Sequence, residues 1–173
     1  MTMSEADMDR APAADGRRGT LGVGADGAWQ IRFERRIGHP PQRVWDALAD
    51  PAQRARWMPG VTLATSPDAP VRFDFGEEGG AEGRVVAADP PRSLEHTWQW
   101  PGEPAAVVRW EITPEGDGSL LVLLHRPLAA EPAVHYCTGW HAMLDGLEAH
   151  LDGVEPAEPD YADLHALYAA AIR

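Results

Sequence analysis

The sequence predicts an α+β domain: a curved antiparallel β-sheet wrapped around a long C-terminal helix, with two short helices after the first strand. Three observations predict it. Apolar residues recur at helical spacing near each end of the chain. Between those ends the pattern changes to alternation interrupted by turn formers. The strand candidates are joined by short turns, which suits an antiparallel meander.

Residues 1–27 are rich in Ala, Gly, Asp and Arg without periodicity, so they read as a disordered tail. From Trp29 the chain alternates. Trp29, Ile31 and Phe33 share one side; Gln30, Arg32 and Glu34 share the other. His39-Pro40-Pro41 stops that strand, and Pro41 suits a first helical position. Val44, Trp45 and Leu48 then fall on one helical face. Asp50-Pro51 starts a second short helix with Asp50 as N-cap, and Pro59-Gly60 ends it.

Six strand candidates follow: Val61–Thr65, Val71–Phe75, Gly83–Ala88, Ser93–Trp100, Ala106–Thr113 and Leu120–His125. Pro, Gly, Asp and Ser clusters separate them, and Pro114-Glu115-Gly116-Asp117-Gly118 is a strong hairpin signal. The long helix is expected from near Pro132 to Leu151, stopped by Gly153. Cys137, Trp140, Leu144, Leu147 and Leu151 form its buried stripe. Glu155–Pro159 reads as a linker. Tyr161–Ile172 reads as a last helix with Asp160 as cap.

Composition narrows the partners. Fifteen basic residues, all Arg, face 27 acidic ones, giving a formal charge of −12. Such a chain repels phosphates, so nucleic acid and anionic membrane are poor partners. No stretch is apolar and long enough for a membrane span. Cys137 is the only cysteine, which fits a reducing cytoplasm. The scattered histidines show no metal-ligand spacing and no nucleophile elbow occurs, so no metal, cofactor or catalytic residue is expected.

Seven Trp against three Phe and three Tyr is an unusual balance. On the strand Leu94–Trp100, residues Leu94, His96, Trp98 and Trp100 share a face. Trp110 and Ile112 follow on the next strand, then Leu121, Leu123 and His125 on the last. Phe73 and Phe75 precede them. Trp140 and Leu144 face them from the long helix, with Glu148 beside that stripe. Two readings fit: the wall of a small-molecule cavity, or a filled core. His96 and His125 are either ligand-orienting or acid–base groups, or hydrogen-bonded structure. Leu120, Val122 and Leu124 make the opposite face of the last strand apolar too. The tail, the last helix or a second copy of the chain would cover it, which makes a homodimer one expectation.

Four pieces resemble one family. They are Pro41-Gln42-Arg43-Val44-Trp45-Asp46-Ala47-Leu48 with Asp50-Pro51 and Trp57; Ala88-Asp89-Pro90-Pro91-Arg92-Ser93-Leu94 with Thr97-Trp98; Arg109-Trp110-Glu111-Ile112 with the run Gly116–His125; and Gly139-Trp140-His141 with Leu144-Asp145-Gly146-Leu147. In this order they resemble the START-like, or SRPBCC, superfamily, and more closely its activator-of-Hsp90-ATPase-homologue (polyketide cyclase/START-like) branch. The resemblance spans roughly residues 29–151. It implies the helix-grip fold of START and Bet v 1-like proteins. The domains are then the tail 1–27, a ligand-binding domain over 28–153 and a packed helical extension over 154–173.

The resemblance implies a function as well. Such folds hold hydrophobic ligands in an internal cavity, among them lipid carriers, cyclases and natural-product resistance proteins. A composition free of Lys and rich in Ala, Arg, Gly and Pro fits a GC-rich bacterial genome. The expected role is non-catalytic binding of an aromatic, polyketide or enediyne-like molecule, for sequestration or self-resistance in a biosynthetic pathway. The expected lining is Phe73, Phe75, His96, Trp98, Trp100, Trp110, Leu121, Leu123, His125, Trp140, Leu144 and Glu148. The alternatives are a cyclase or dehydratase pairing His96 or His125 with Glu148, and a chaperone-binding module.

Overall fold

The computed structural model describes residues 17–172. Strand β1 (Thr20–Val23) and strand β2 (Trp29–Ile37) form a hairpin. Two short helices follow, α1 (Pro41–Ala49) and α2 (Pro51–Trp57). Then come β3 (Val61–Leu63), β4 (Pro70–Asp74), a 3₁₀ turn at Gly76–Glu78, β5 (Gly80–Asp89), β6 (Ser93–Trp98), β7 (Ala106–Glu115) and β8 (Gly118–Leu128). The long helix α3 (Ala130–Asp152) and a last helix α4 (Tyr161–Ala171) close the chain. All eight strands lie in one antiparallel sheet, ordered β1-β2-β8-β7-β6-β5-β4-β3. The sheet curves around α3, which is the helix-grip arrangement.

Local chemistry accounts for the element ends. Asp50 closes α1, and its carboxylate accepts the Ala52 N–H at 2.9 Å to open α2. Asp160 does the same for α4, accepting from Asp163. Gly153 stops α3 in the left-handed region at φ 67°, where a side chain would be strained. The Gly116-Asp117 turn joins β7 and β8 in register, Glu115 opposite Gly118. At Gly83 a Cβ would collide with the Thr97 carbonyl, so only glycine lets β5 approach β6 there. The register shifts just beyond, between Val85 and Ala87.

Strand β1 is a correction. It falls within the stretch 1–27 expected to be a tail; the rest of that expectation, residues 1–16, lies outside the described residues. Four residues with a single buried side chain, Leu21, carry no readable alternation. Tertiary contact orders them instead. Gly19 sits against the ring of Phe33, and its N–H donates to the Tyr168 hydroxyl at 2.9 Å.

The apolar outer ridge of β8 runs between polar residues of both neighbouring strands. Leu124 lies between Arg32 and Arg109, Val122 between Glu34 and Glu111, and Leu120 between Arg36 and Thr113. Those charges pair along the sheet: Arg32 with Glu34 at 2.7 Å and Arg109 with Glu111 at 2.6 Å. Each exposed pair adds little stability; Val122 between them is only 6% exposed, whereas Leu120 and Leu124 are half-buried.

Helix α4 returns to the start of α3. The His165 ring lies 4.9 Å from that of His135, whereas the linker leaves α3 at Gly153. Those two levels are about 27 Å apart along the helix. The seven linker residues 154–160 reach roughly that far only when extended. The linker is thus a strap running back along α3.

Tyr168, the one fully buried residue of α4, anchors that strap. Its hydroxyl accepts the Gly19 N–H and lies 2.6 Å from His141 Nδ1, and its ring meets Phe33 edge-on. Tyr168→Phe keeps the ring and leaves a buried N–H unpaired. We expect a loss of about 1–3 kcal/mol in urea denaturation. Amide exchange in Tyr161–Ala171 should quicken; unchanged exchange there would show that the hydroxyl is not the anchor.

Candidate functional site

The interior between sheet and helix is filled. Phe73 lies 4.7 Å from Trp98, ring centre to ring centre. Trp140 lies 5.5 Å from Trp110 and 5.9 Å from Trp98. Two imidazoles fix this stack. His96 Nε2 accepts the Trp110 indole N–H at 3.3 Å, and its Nδ1 donates to the Thr97 carbonyl at 3.1 Å. His125 Nδ1 accepts the Trp140 indole N–H at 3.1 Å, so its proton sits on Nε2, which has no partner. Both histidines are fully buried. Burial lowers His96 to about 4; burial, then the neighbouring His96, lowers His125 to about 3. Both are neutral near pH 7.

This corrects the expected hollow. Phe73, His96, Trp110, Leu121, Leu123, His125 and Leu144 are packing residues with no face on open space. Alternation along a strand shows which side chains point inward, but not whether their volumes leave a gap. Glu148 is displaced altogether. It takes the buried guanidinium of Arg35 at 2.6 Å, on the β2 side of α3. The acid–base pair of Glu148 with His96 or His125 is therefore not assembled.

Open space lies at the edge of the stack, as a cleft of about 790 Å³. Phe75, Trp98, Trp100 and Trp140 line it. The Phe75 and Trp100 rings are stacked at 6.1 Å and 24°. Tyr136 stands between them and the interior, edge-on to Trp98 at 5.4 Å. Its hydroxyl donates to Glu103 at 2.6 Å, and burial, then that carboxylate, raises the phenol well above its ordinary value. Met58, Pro59, Met143 and Gly146 make the other end. The strap supplies the outer wall with Pro156–Pro159, Tyr161 and His165.

Sequence reasoning missed Tyr136, Met58, Met143 and the strap. The helical period gave a signal for the first. Tyr136, Gly139, Met143 and Gly146 recur at spacings of three and four beside the buried stripe of α3.

Among the described residues no three His, Cys, Asp or Glu side chains come together to hold a metal. Cys137 is buried, and burial raises its thiol far above the ordinary value, so no thiolate forms. No helix among the described residues is long and apolar enough to cross a membrane.

Known proteins share this fold. CalU16 from Micromonospora echinospora is 25% identical, with a TM-score of 0.73 over 90% of this chain and 97% of its own. The protein encoded by BPP1335 of Bordetella parapertussis is 30% identical, with a TM-score of 0.69 over 87% and 90%. DynU16, from the dynemicin biosynthetic locus, is 22% identical, with a TM-score of 0.67 over 76% of this chain and 50% of its own. No curated protein matches the sequence. One family model spans residues 38–152, from the first short helix to the end of the long one, leaving the strap and α4 outside. The chain belongs to that family, the activator of Hsp90 ATPase homolog 1-like proteins.

Proposed function

We propose that this protein binds a flat, apolar small molecule in the cleft between α3, the strap and the Phe75–Trp100 stack. One observation carries the reading: an open space of about 790 Å³ walled by Phe75, Trp98, Trp100, Tyr136 and Trp140. That volume falls within the range of small-molecule sites, about 300–1,000 Å³. Aromatic walls favour a planar partner, because stacked and edge-on ring contacts add about 0.5–1.5 kcal/mol beyond area burial. The finer reading is sequestration of an aromatic natural product within a bacterial biosynthetic pathway, as a carrier or self-resistance protein. The place of DynU16 in such a locus supports it.

The test is tryptophan fluorescence during titration with a panel of aromatic polyketides. Trp98, Trp100 and Trp140 should report occupancy. Trp100→Ala removes half of the stacked wall, and Trp100 is only partly buried, so the fold should tolerate the change. Affinity for any ligand found should fall by roughly tenfold or more. Equal affinity of Trp100→Ala and the wild type would remove the cleft as the binding site.

A further inference from the structure

The cleft is charged unevenly, and this bears on what it holds. It runs along α3 from His135 to Gly146, about 16 Å at the helical rise. The stacked pair Phe75 and Trp100 marks one end, and Glu78 lies in the 3₁₀ turn beside Phe75. Arg56 marks the other end, because the backbone of its neighbour Trp57 packs against Gly146. Glu158 is the second carboxylate on the lining and belongs to the strap.

Arg56 is one of the arginines that no carboxylate occupies, and it borders the cleft. Arg32, Arg35, Arg36 and Arg109 are each matched to carboxylates. Arg56 makes no ion pair or hydrogen bond among the described residues, and neither does Arg43 on α1. Both lie close to His150 of α3, which burial, then Arg56 and Arg43, hold below its ordinary value. Two guanidiniums, from α1 and α2, thus lie near His150, one helical turn beyond Gly146 where the cleft ends, on a protein of net charge −12. Such a cluster suits an anion.

We propose that the occupant of the cleft is an aromatic anion, whose ring system lies on the tryptophan wall and whose carboxylate or similar group is held by Arg56, with Arg43 behind it. The proposal rests on the cleft being the binding site. It adds a requirement that the apolar walls alone do not impose. The guanidinium offers a planar pair of donors that fits a carboxylate.

Two fluorescent probes separate the two ideas. 1-Anilinonaphthalene-8-sulfonate and N-phenyl-1-naphthylamine differ by one sulfonate. The wild type should bind the sulfonate at least fivefold more tightly in low salt, despite its own negative charge. Arg56→Gln should weaken the sulfonate about tenfold and leave the neutral probe within twofold; Arg43→Gln should act in the same direction but less. Arg56 is exposed, so these variants should keep the wild-type circular dichroism spectrum. Raising the salt to 0.3 M should weaken only the charged probe. A wild type that binds both probes alike, or an Arg56→Gln effect equal on both, overturns the anion proposal and leaves the cleft standing. A wild type that binds neither removes the cleft reading, and this proposal with it.

Discussion

Lowering the pH from 6.5 towards 4 should destabilise this protein by several kilocalories per mole, through His96 and His125. Both imidazoles are fully buried and each accepts an indole N–H, so the folded state holds them neutral. Their folded values are about 4 and about 3, against 6.5 ordinarily. Above pH 6.5 they are neutral in both folded and unfolded chains, and pH changes nothing. Below it the unfolded chain takes up two protons that the folded chain refuses. Stability then falls by about 1.4 kcal/mol per pH unit for each histidine. The slope ends only below the folded values. His150 is shifted in the same direction and adds to the loss. A domain of ordinary stability has about 5–15 kcal/mol to lose. Urea denaturation at pH 7, 6, 5 and 4.5 measures the slope, in a window where most carboxylates remain ionised. His125→Leu should be less stable at pH 7, because Trp140 loses its acceptor, and its slope should be about half as steep. Constant wild-type stability from pH 6.5 to 4.5 would mean that the two imidazoles are not held neutral.

The same two residues show what the sequence makes legible. Period-two alternation puts His96 beside Leu94 and Trp98, and the inward face is as expected. Helix ends follow from Asp50, Asp160 and Gly153, whose chemistry is local. What alternation cannot supply is volume. Whether Trp98, Trp110 and Trp140 surround a space or fill it depends on ring angles set by partners distant in sequence, such as the imidazole of His125 under Trp140. The strap was hidden for another reason. Its position follows from where α4 docks, and that rests on Tyr168, His141 and Gly19, which share no local pattern. Strand β1 depends on the same hydroxyl. Arg35 is a different case, since its signal was present. Continuing the alternation of β2 past Phe33 places Arg35 inside, between Phe33 and Ile37. An inward arginine calls for acids on the facing helix, and Asp145 and Glu148 stand three apart there.

Removing those two acids should cost more than any surface change in the molecule. The Arg35 side chain is 1% exposed, and its Nη1 reaches Asp145 at 2.8 Å and Glu148 at 2.6 Å. Its Nε and Nη2 have no hydrogen-bond partner, so beside the Phe33 ring 5.7 Å from the guanidinium carbon the two carboxylates are what compensates its charge. Arg17 shares both acids from the solvent side, at 3.0 and 3.7 Å. In Asp145→Asn with Glu148→Gln, the guanidinium stays buried with no anion beside it. Breaking a buried pair in this way costs about 3–5 kcal/mol. Arg35→Met should cost less, although it destroys the same contacts. The acids it abandons are 36% and 17% exposed, so water and Arg17 can still solvate them, and a methionine fills most of the vacated space. The two variants therefore discriminate between attraction and burial as the source of the effect. If the pair is valuable for its attraction, both should lose the same stability in chemical denaturation. If the danger is an unpaired buried charge, the double acid variant should be the worse by at least about 1 kcal/mol. Near-wild-type stability of the acid double variant would mean that Arg35 escapes to solvent, and that the clasp between β2 and α3 does not depend on charge.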